Sequence, residues 1–182
     1  TEPVFRGPTR NPWDTSRSAG GSSGGAGAAV AAGILPAAHA SDGGGSIRIP
    51  SSCNGLFGLK PSRGRIPAGP TLGEQWNGLS TNHVITRTVR DSAALLDATA
   101  GPSVGDPYAS PPLPAGGYLA AMNDDPGRLR VGVTVHGRPG GTVDPECAEA
   151  ARRTAALLAE LGHEVSEVTL PIAWEEFLPA FG

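Results

Sequence analysis

The spacing of apolar residues predicts a helix in the middle of the chain. From residue 89 to residue 100, apolar side chains recur at every third or fourth position, which is the spacing of one helix face. Thr88 is the predicted N-cap, because its hydroxyl can accept a hydrogen bond from the N–H of Asp91 three residues later. Gly101 and Pro102 are predicted to end this helix.

A strand, helix and strand are predicted in the last third of the chain. Apolar residues alternate with polar or small ones from Leu129 to Val135, and a second strand is expected from Val165 to Leu170. The intervening helix begins at Asp144 and Pro145, ends at Gly162, and is predicted to bury one face made of Cys147, Ala151, Thr154, Leu158 and Leu161. This order predicts parallel strands joined by a right-handed crossover, and therefore an α/β architecture.

The first part of the chain is predicted to contain shorter elements. We expect an irregular approach over residues 1–18 with a turn at 11–14, a helix over 24–32, a buried strand over 34–41, one or two helical turns over 47–54 and a strand over 55–60. Residues 69–85 are predicted to be mostly loop anchored by Trp76 and Leu79, residues 102–128 to be a connecting segment rich in proline, and residues 172–182 to begin a helix.

Composition narrows the classes of function. A formal net charge of −3 over 182 residues argues against nucleic acid as a main partner, because phosphate binding requires clustered basic residues. No apolar run approaches the roughly 20 residues of a membrane span, and no signal peptide is evident, so we expect a cytoplasmic protein without a membrane partner. Cys53 and Cys147 are predicted to be reduced and buried.

Two glycine clusters with adjacent serines are the candidate site of chemistry. Residues 20–25 read GGSSGG, and residues 42–46 read DGGGS. Consecutive N–H groups from Gly43 to Ser46 can form a concave anion-binding nest, and if Ser46 attacks a carbonyl, that nest can hold the oxyanion. The alternative is that the three glycines only make a tight turn between a strand and a helix.

A serine nucleophile needs a base, and the four histidines do not provide an obvious one. None of them occurs in the sequence context of a Ser-His-Asp hydrolase, so each is expected to be an exposed or hydrogen-bonded histidine: His39, His83, His136 and His163. No metal site is predicted, because His39 and Asp42 lack further ligands at a recognisable spacing. Residues 25–30 could be a degenerate dinucleotide fingerprint, although no apolar strand is expected before them.

The two motifs together resemble the signature region of the amidase signature family. The similar segments are GGSSGGAGAAVAAG and SDGGGSIRIPSSCNGLFGLKPSRGRIP, and NPWD before them and TRTVRDSAALLDATAG after them extend the resemblance. The family comprises serine hydrolases that cleave amide bonds with a Ser-Ser-Lys triad and need no cofactor. The resemblance implies an α/β fold in which a mixed β-sheet core is flanked by helices, present here as a partial domain over residues 1–182.

The resemblance assigns roles to individual residues. Ser46 corresponds to the acyl-enzyme nucleophile and Ser22 to the bridging serine, which in the family follows a cis peptide bond. The N–H groups of Gly43, Gly44, Gly45 and Ser46 correspond to the oxyanion hole, and the supporting positions are Ser23, Asp42 and Arg48. The family's lysine lies upstream of the signature, outside these residues; Lys60, the only lysine of the chain, matches a structural position. We therefore expect these 182 residues alone to be inactive.

The resemblance also bears on the substrate. Ile49 occupies a position where subunits that act on charged tRNA usually have Gln, which favours a small-molecule amidase, and the motifs resemble those of hydrolases of aryl amides and cyclic nylon oligomers. Trp76 and residues 102–117 are candidates for the substrate pocket wall, with core packing as the alternative for Trp76. A non-catalytic relative, a tRNA amidotransferase subunit and a nucleotide-binding module remain as alternatives, and a homo-oligomer is compatible with the sequence.

Overall fold

The computed structural model describes residues 1–181, so the expectation for Gly182 lies outside the described residues. The chain divides into two compact units, Thr1–Asp124 and Asp125–Gly182. The first unit contains both glycine-serine motifs, and the second contains the predicted strand-helix-strand region.

An antiparallel sheet of three strands organises the first unit. Its strands are β1 (Ala37–Asp42), β2 (Phe57–Gly58) and β3 (Thr81–Thr86), in the order β1-β3-β2. The register places Asp42, the last residue of β1, opposite Thr81, the first residue of β3. The glycine loop after β1 and the segment before β3 therefore emerge from the same end of the sheet.

Four helices accompany this sheet: α1 (Gly24–Ala31), α2 (Arg48–Cys53), α3 (Val89–Thr99) and α4 (Tyr118–Ala121). The core is made of small and β-branched side chains, with Ala40, Ile47 and Ile85 buried together and Ala26 and Leu56 packed against them. Ile47 directly follows the predicted nucleophile, so burial of its side chain fixes the start of the nucleophile helix in the core.

The helix predicted from apolar spacing is confirmed as α3. The Thr88 side chain accepts a hydrogen bond from the N–H of Asp91 at 3.0 Å, as the capping pattern predicts. The helices and strands predicted over 24–32, 34–41 and 47–54 are also present, with ends that differ by up to three residues. The strand predicted over 55–60 is reduced to Phe57–Gly58.

The prediction of loop over residues 69–85 is wrong at its end, because β3 begins at Thr81 and is the central strand of the sheet. Its buried residues include Thr81, His83 and Thr86, so polar side chains hid the strand from an apolar pattern. Trp76 and Leu79 are not core anchors either, since they are 54% and 44% exposed.

The second unit has a two-stranded parallel sheet of β4 (Arg130–Val133) and β5 (Glu164–Glu167), which confirms the predicted parallel pairing. The helix between them is α5 (Pro145–Glu160), and the Asp144 side chain caps it by accepting from the N–H of Glu146 at 2.8 Å. A last helix, α6, spans Trp174–Phe181.

The face predicted for α5 is partly wrong. Its less exposed positions are Ala148, Ala151, Ala155 and Leu158, whereas Cys147, Thr154 and Leu161 are exposed. The predicted face is rotated by about one residue from the observed one, because the small alanines at 148 and 155 give a weaker apolar signal than the larger side chains beside them. Cys53 and Cys147 are free thiols, but both are exposed, so the prediction of burial is wrong for each.

None of the helices in the described residues has the length and apolar character needed to cross a membrane.

Candidate active site

Asp42 ties the loop of the predicted nucleophile to the start of α2. Its carboxylate is fully buried and accepts from the N–H of Gly45 at 2.7 Å and from the N–H of Ile47 at 3.2 Å. Arg48 donates through its own N–H, its Nε at 2.9 Å and its Nη2 at 2.9 Å. Ser46 lies inside this network, so the path of its backbone is fixed from both sides.

Asp42 and Arg48 each stabilise the charged form of the other. Burial acts to raise the pKa of Asp42, but the hydrogen bonds from Arg48 and the three backbone N–H groups outweigh it and lower that pKa to about 2. The same hydrogen bond raises the pKa of Arg48. Asp42 is therefore a carboxylate at neutral pH, and it serves as an acceptor for the loop.

The hydrogen bonds of Asp42 engage one of the four N–H groups predicted to form the oxyanion hole, that of Gly45. Because the Gly45 N–H already donates to Asp42, it is committed within the loop. The three other predicted donors, Gly43, Gly44 and Ser46, are not engaged by Asp42. Gly45 has a different role: its φ of +120° turns the chain into α2, a conformation that side-chain-bearing residues rarely adopt.

The predicted bridging serine, Ser22, lies in the loop before α1. The peptide bond between Gly21 and Ser22 is cis, as the resemblance implies. Ser22 is exposed, and the next residue, Ser23, is the N-cap position of α1, with its hydroxyl donating to the carbonyl of Ser41 at 3.4 Å. Ser41 belongs to β1, so this bond links the loop of Ser22 to the strand that leads to Ser46.

Asn54 joins the segment before Ser22 to helix α2, which follows Ser46. Its side-chain amide is buried and donates to the carbonyl of Ala19 at 2.8 Å and to the carbonyl of Pro50 at 2.7 Å. Ala19 precedes the Ser22 loop, and Pro50 lies in α2. Gly20, with a φ of +73°, packs against the same helix, where an added Cβ would lie 3.0 Å from the Cα of Pro50.

The turn at residues 11–14 supports α2 from its carboxyl end. The Asn11 amide donates to the carbonyl of Cys53 at 2.6 Å, and the Trp13 indole N–H donates to the carbonyl of Asn54 at 2.8 Å. The last carbonyls of a helix lack partners within it, so these two side chains satisfy acceptors that would otherwise need solvent. The turn predicted from NPWD is thus part of the framework of the site.

Two exposed apolar side chains flank the glycine nest. The ring of Trp76 contacts Gly43 so closely that a Cβ at residue 43 would overlap it. At the other end, the Ile49 side chain covers Gly45, where an added Cβ would lie 2.7 Å from its Cδ1. Ile49 also approaches Gly20, with 3.2 Å between its Cγ2 and an added Cβ there. Gly43 and Gly45 are therefore needed for the contacts of the nest with Trp76 and Ile49.

The other candidate residues lie in structural settings. The Lys60 ammonium donates to the carbonyl of Pro61 at 2.6 Å. His83 and Ser92 are both buried and share a hydrogen bond of 2.9 Å, and burial lowers the pKa of His83. This Ser-His pair cannot meet a substrate, because neither side chain reaches the surface. His39 is exposed, and the remaining histidines contact Glu167 and the N–H of Leu129: His136 and His163.

The described residues do not support the nucleotide-binding alternative. Residues 25–30 lie within α1, and in the described part of the chain no strand element precedes that helix, whereas a dinucleotide fingerprint follows a strand. Across residues 1–181, no group of three or more His, Cys, Asp or Glu side chains is arranged to hold a metal ion.

Ser46 lies in a loop between β1 and α2, where Asp42 holds the glycine nest, and the loop of Ser22 is hydrogen-bonded to β1 through Ser23. This arrangement defines the class of protein. The chain belongs to the amidase family, whose sequence profile matches residues 1–181. This result confirms the resemblance and the expected fold, since solved amidase-signature structures superpose on the chain.

Individual relatives are similar over nearly the whole chain. The chain is 50% identical over 170 residues to a 6-aminohexanoate-cyclic-dimer hydrolase of Pseudomonas sp. strain NK87, covering 92% of this chain and 34% of the relative. A solved 6-aminohexanoate cyclic dimer hydrolase with bound substrate matches with a TM-score of 0.86 and 49% identity, over 92% of this chain and 35% of that one. A bacterial aryl acylamidase of the amidase signature family matches with a TM-score of 0.84 and 34% identity, over 100% of this chain and 37% of that one. The chain thus spans about a third of the length of these relatives.

Sequence reasoning missed the roles of two asparagines in the site, and it missed the contacts of Trp76 and Ile49 with the nest. Asn54 and Asn11 act through hydrogen bonds to carbonyls that are distant in sequence, and no local pattern marks them. The sequence predicts Trp76 to be an anchor or a pocket wall, and it relates Ile49 only to the class of substrate; neither prediction includes a contact with the nest. The signal that could have found Trp76 and Ile49 is the pair of glycines, Gly43 and Gly45, which leaves room for bulky neighbours.

Proposed function

We propose that the protein containing this chain hydrolyses small carboxamides through an acyl-enzyme on Ser46. The proposal rests on the placement of Ser46 between the N–H nest, which is hydrogen-bonded to Asp42, and the start of α2. Asn54 connects the segment before Ser22 to the same helix by hydrogen bonds. Membership of the amidase family supports the reaction class.

In the proposed mechanism, the Ser46 Oγ attacks the amide carbonyl carbon and its proton passes to Ser22, whose own proton passes to a neutral base. Negative charge develops on the carbonyl oxygen, where the N–H groups of Gly43, Gly44 and Ser46 can stabilise it; loss of one such donor typically costs about 10² to 10³ in rate. The tetrahedral intermediate collapses as the relay returns a proton to the leaving amine. Water then attacks the acyl-enzyme and releases the carboxylic acid.

The base in this proposal is a lysine outside these 182 residues. A serine hydroxyl needs a base to become an effective nucleophile, and the chain's single lysine, Lys60, already donates to a backbone carbonyl. The proposal therefore assigns these residues the nucleophile, the bridging serine and the oxyanion donors, and assigns the proton acceptor to another segment.

We propose small linear or cyclic amides as the substrate class. The support is the similarity to a hydrolase named for a cyclic dimer of 6-aminohexanoate and to an aryl acylamidase. Both names describe amides with an apolar carbon framework next to the scissile bond. Apolar side chains beside the nest, Trp76 and Ile49, suit such a framework.

Covalent labelling of the full-length protein tests the nucleophile. A fluorophosphonate probe should label the wild-type protein at Ser46, and Ser46→Ala should abolish both this labelling and the hydrolysis of acetamide or hexanamide. Ser52→Ala is the matched control, because Ser52 is an exposed serine of α2, the helix that follows Ser46.

Undiminished labelling of the Ser46→Ala protein at this site would contradict the assignment. Equal loss of labelling in the Ser52→Ala protein would do so as well, because it would show that the probe response reports the helix and not one hydroxyl.

A further inference from the structure

Trp76 is placed beside the nest by the register of the sheet. Asp42 and Thr81 are paired at one end of β1 and β3, so the chain leaving β1 and the chain entering β3 lie side by side. The first of these segments is the glycine nest, and the second is the turn that carries Trp76. The two are therefore neighbours although more than thirty positions separate them in sequence.

The turn that holds Trp76 is well defined. Trp76 and Asn77 both adopt left-handed backbone conformations, with φ of 49° and 50°. Hydrogen bonds close the turn on either side, from the N–H of Gly78 to the carbonyl of Gln75 at 3.1 Å and from the N–H of Leu79 to the carbonyl of Trp76 at 3.0 Å. Two consecutive left-handed residues reverse the chain sharply, which directs the indole to the nest side.

A second set of contacts holds the same turn from its other side. The Tyr108 hydroxyl donates to the carboxylate of Glu74, and the guanidinium of Arg63 lies 5.8 Å from the centre of the Tyr108 ring. Gly78 is buried directly under that hydroxyl. The position of Trp76 is thus set by residues on both sides of it.

The indole and the nest fit only because residue 43 is glycine. The six-membered ring of Trp76 occupies the space that a side chain at Gly43 would need, while about half of the indole remains exposed. Gly43 is the first of the N–H groups that would face a substrate oxygen. An apolar surface therefore begins directly beside the position of the reacting carbonyl.

We infer that Trp76 is a specificity-determining residue, whose indole forms an apolar wall beside the nest and selects amides that carry an apolar substituent of several carbons. This inference rests on the proposed function. Ile49, which is 46% exposed over Gly45, provides apolar surface at the opposite end of the nest, so an apolar substituent meets hydrocarbon on both sides of the carbonyl.

The experiment compares amides that differ only in apolar size, using the full-length protein. One arm measures the ratio of kcat/KM for hexanamide to that for acetamide, which varies the acyl group; the other measures acetanilide against acetamide, which varies the amine. In Trp76→Ala, at least one ratio should fall by about tenfold or more, because lost apolar contact in a pocket typically costs 10- to 200-fold in discrimination. Trp76→Phe, which keeps an aromatic ring, should fall less.

Leu79→Ala is the matched control, since Leu79 belongs to the same turn and is similarly exposed, whereas the atoms nearest to a Cβ added at Gly43 belong to Trp76 and Ser80. Its two ratios should equal those of the wild-type protein. Circular dichroism and thermal unfolding verify that each variant is folded, and Trp76→Phe keeps the test valid if Trp76→Ala unfolds.

Equal ratios in wild type and both Trp76 variants, or a uniform fall for all three amides, would overturn the inference, because either result assigns Trp76 a purely structural role. Labelling of Ser46 separates this failure from that of the proposed function. If Ser46 is labelled and the ratios do not change, only the role of Trp76 fails. If Ser46 is not labelled and no amide is hydrolysed, both fail.

Discussion

Asp42 is a buried carboxylate whose partners are Arg48 and three backbone N–H groups around Ser46. Its pKa is lowered to about 2 in the folded protein from the ordinary 3.8, so the folded state binds fewer protons between these values than the unfolded state does. The stabilisation from this charge is therefore complete above about pH 4 and is lost as the pH falls through about 2.

Substitution of Asp42 by Asn tests this charge. At about pH 7, the wild-type protein should be more stable than Asp42→Asn by about 2 kcal/mol in free energy of unfolding, and the difference should shrink between about pH 4 and pH 2 as the wild-type carboxylate is protonated. Urea unfolding at several pH values measures it.

The exposed Asp124 provides the control, because Asp124→Asn should leave the free energy of unfolding within about 0.5 kcal/mol of wild type. A difference between wild type and Asp42→Asn that stays constant down to about pH 2 would contradict the assigned role of the carboxylate.

At the scale of elements, the site depends on how loop 19–22 is held against α2. Asn54 is the connection, because its buried amide donates to carbonyls in both segments. Asn54→Ala leaves the Ala19 carbonyl without this donor, so the free energy of unfolding should fall by about 2 kcal/mol, and the rate of fluorophosphonate labelling at Ser46 should fall with it.

The matched control for Asn54 is Asn123, whose exposed side chain donates to the carbonyl of Ala120 at 3.2 Å. Asn123→Ala should change stability by no more than about 0.5 kcal/mol. If both variants unfold at the same urea concentration, the link between loop 19–22 and α2 is not important for stability.

Elements with local signals were predictable from the sequence, and those defined by distant partners were not. The cap, apolar face and stop of α3 all lie within the fifteen residues 88–102, so one window of sequence contains its determinants. By contrast, β3 is buried by its neighbours β1 and β2 although His83 and Thr86 are polar. The Nε2 of His83 is hydrogen-bonded to Ser92 of α3, a contact that only the folded chain makes, and the Thr86 hydroxyl donates to the nearby carbonyl of Thr88.

The same distinction applies to the candidate site. The resemblance predicts Ser22 and Ser46 as site residues and Asp42 and Arg48 as supporting positions, because contiguous motifs carry them, and the structure pairs Asp42 with Arg48. It assigned the Gly45 N–H to an oxyanion, whereas the structure commits that group to Asp42, since a loop's internal hydrogen bonds depend on its exact path. The contact of Trp76 with Gly43 could not be predicted, because it requires both the sheet register and a left-handed turn.

At the scale of the whole molecule, the described residues supply only part of the proposed catalytic apparatus. We expect purified residues 1–182 to fold but to hydrolyse neither acetamide nor hexanamide, because the proposed lysine base belongs to another segment. The full-length protein should hydrolyse at least one of them. Amide release measured side by side, with circular dichroism to verify folding, checks this expectation.

Robust hydrolysis by residues 1–182 that disappears in Ser46→Ala would contradict the assignment of the base to another segment, because it would require a base within the chain.

The close fit of the indole on Gly43 also limits how this protein can change over generations. A side chain at residue 43 has no room while an indole occupies position 76, and loss of the indole removes the wall without creating any new contact. Lineages that acquire alanine at residue 43 should therefore first, or simultaneously, acquire a smaller residue at 76. Directed evolution toward bulkier amides would consequently reach new pockets more easily through position 76 than through the nest.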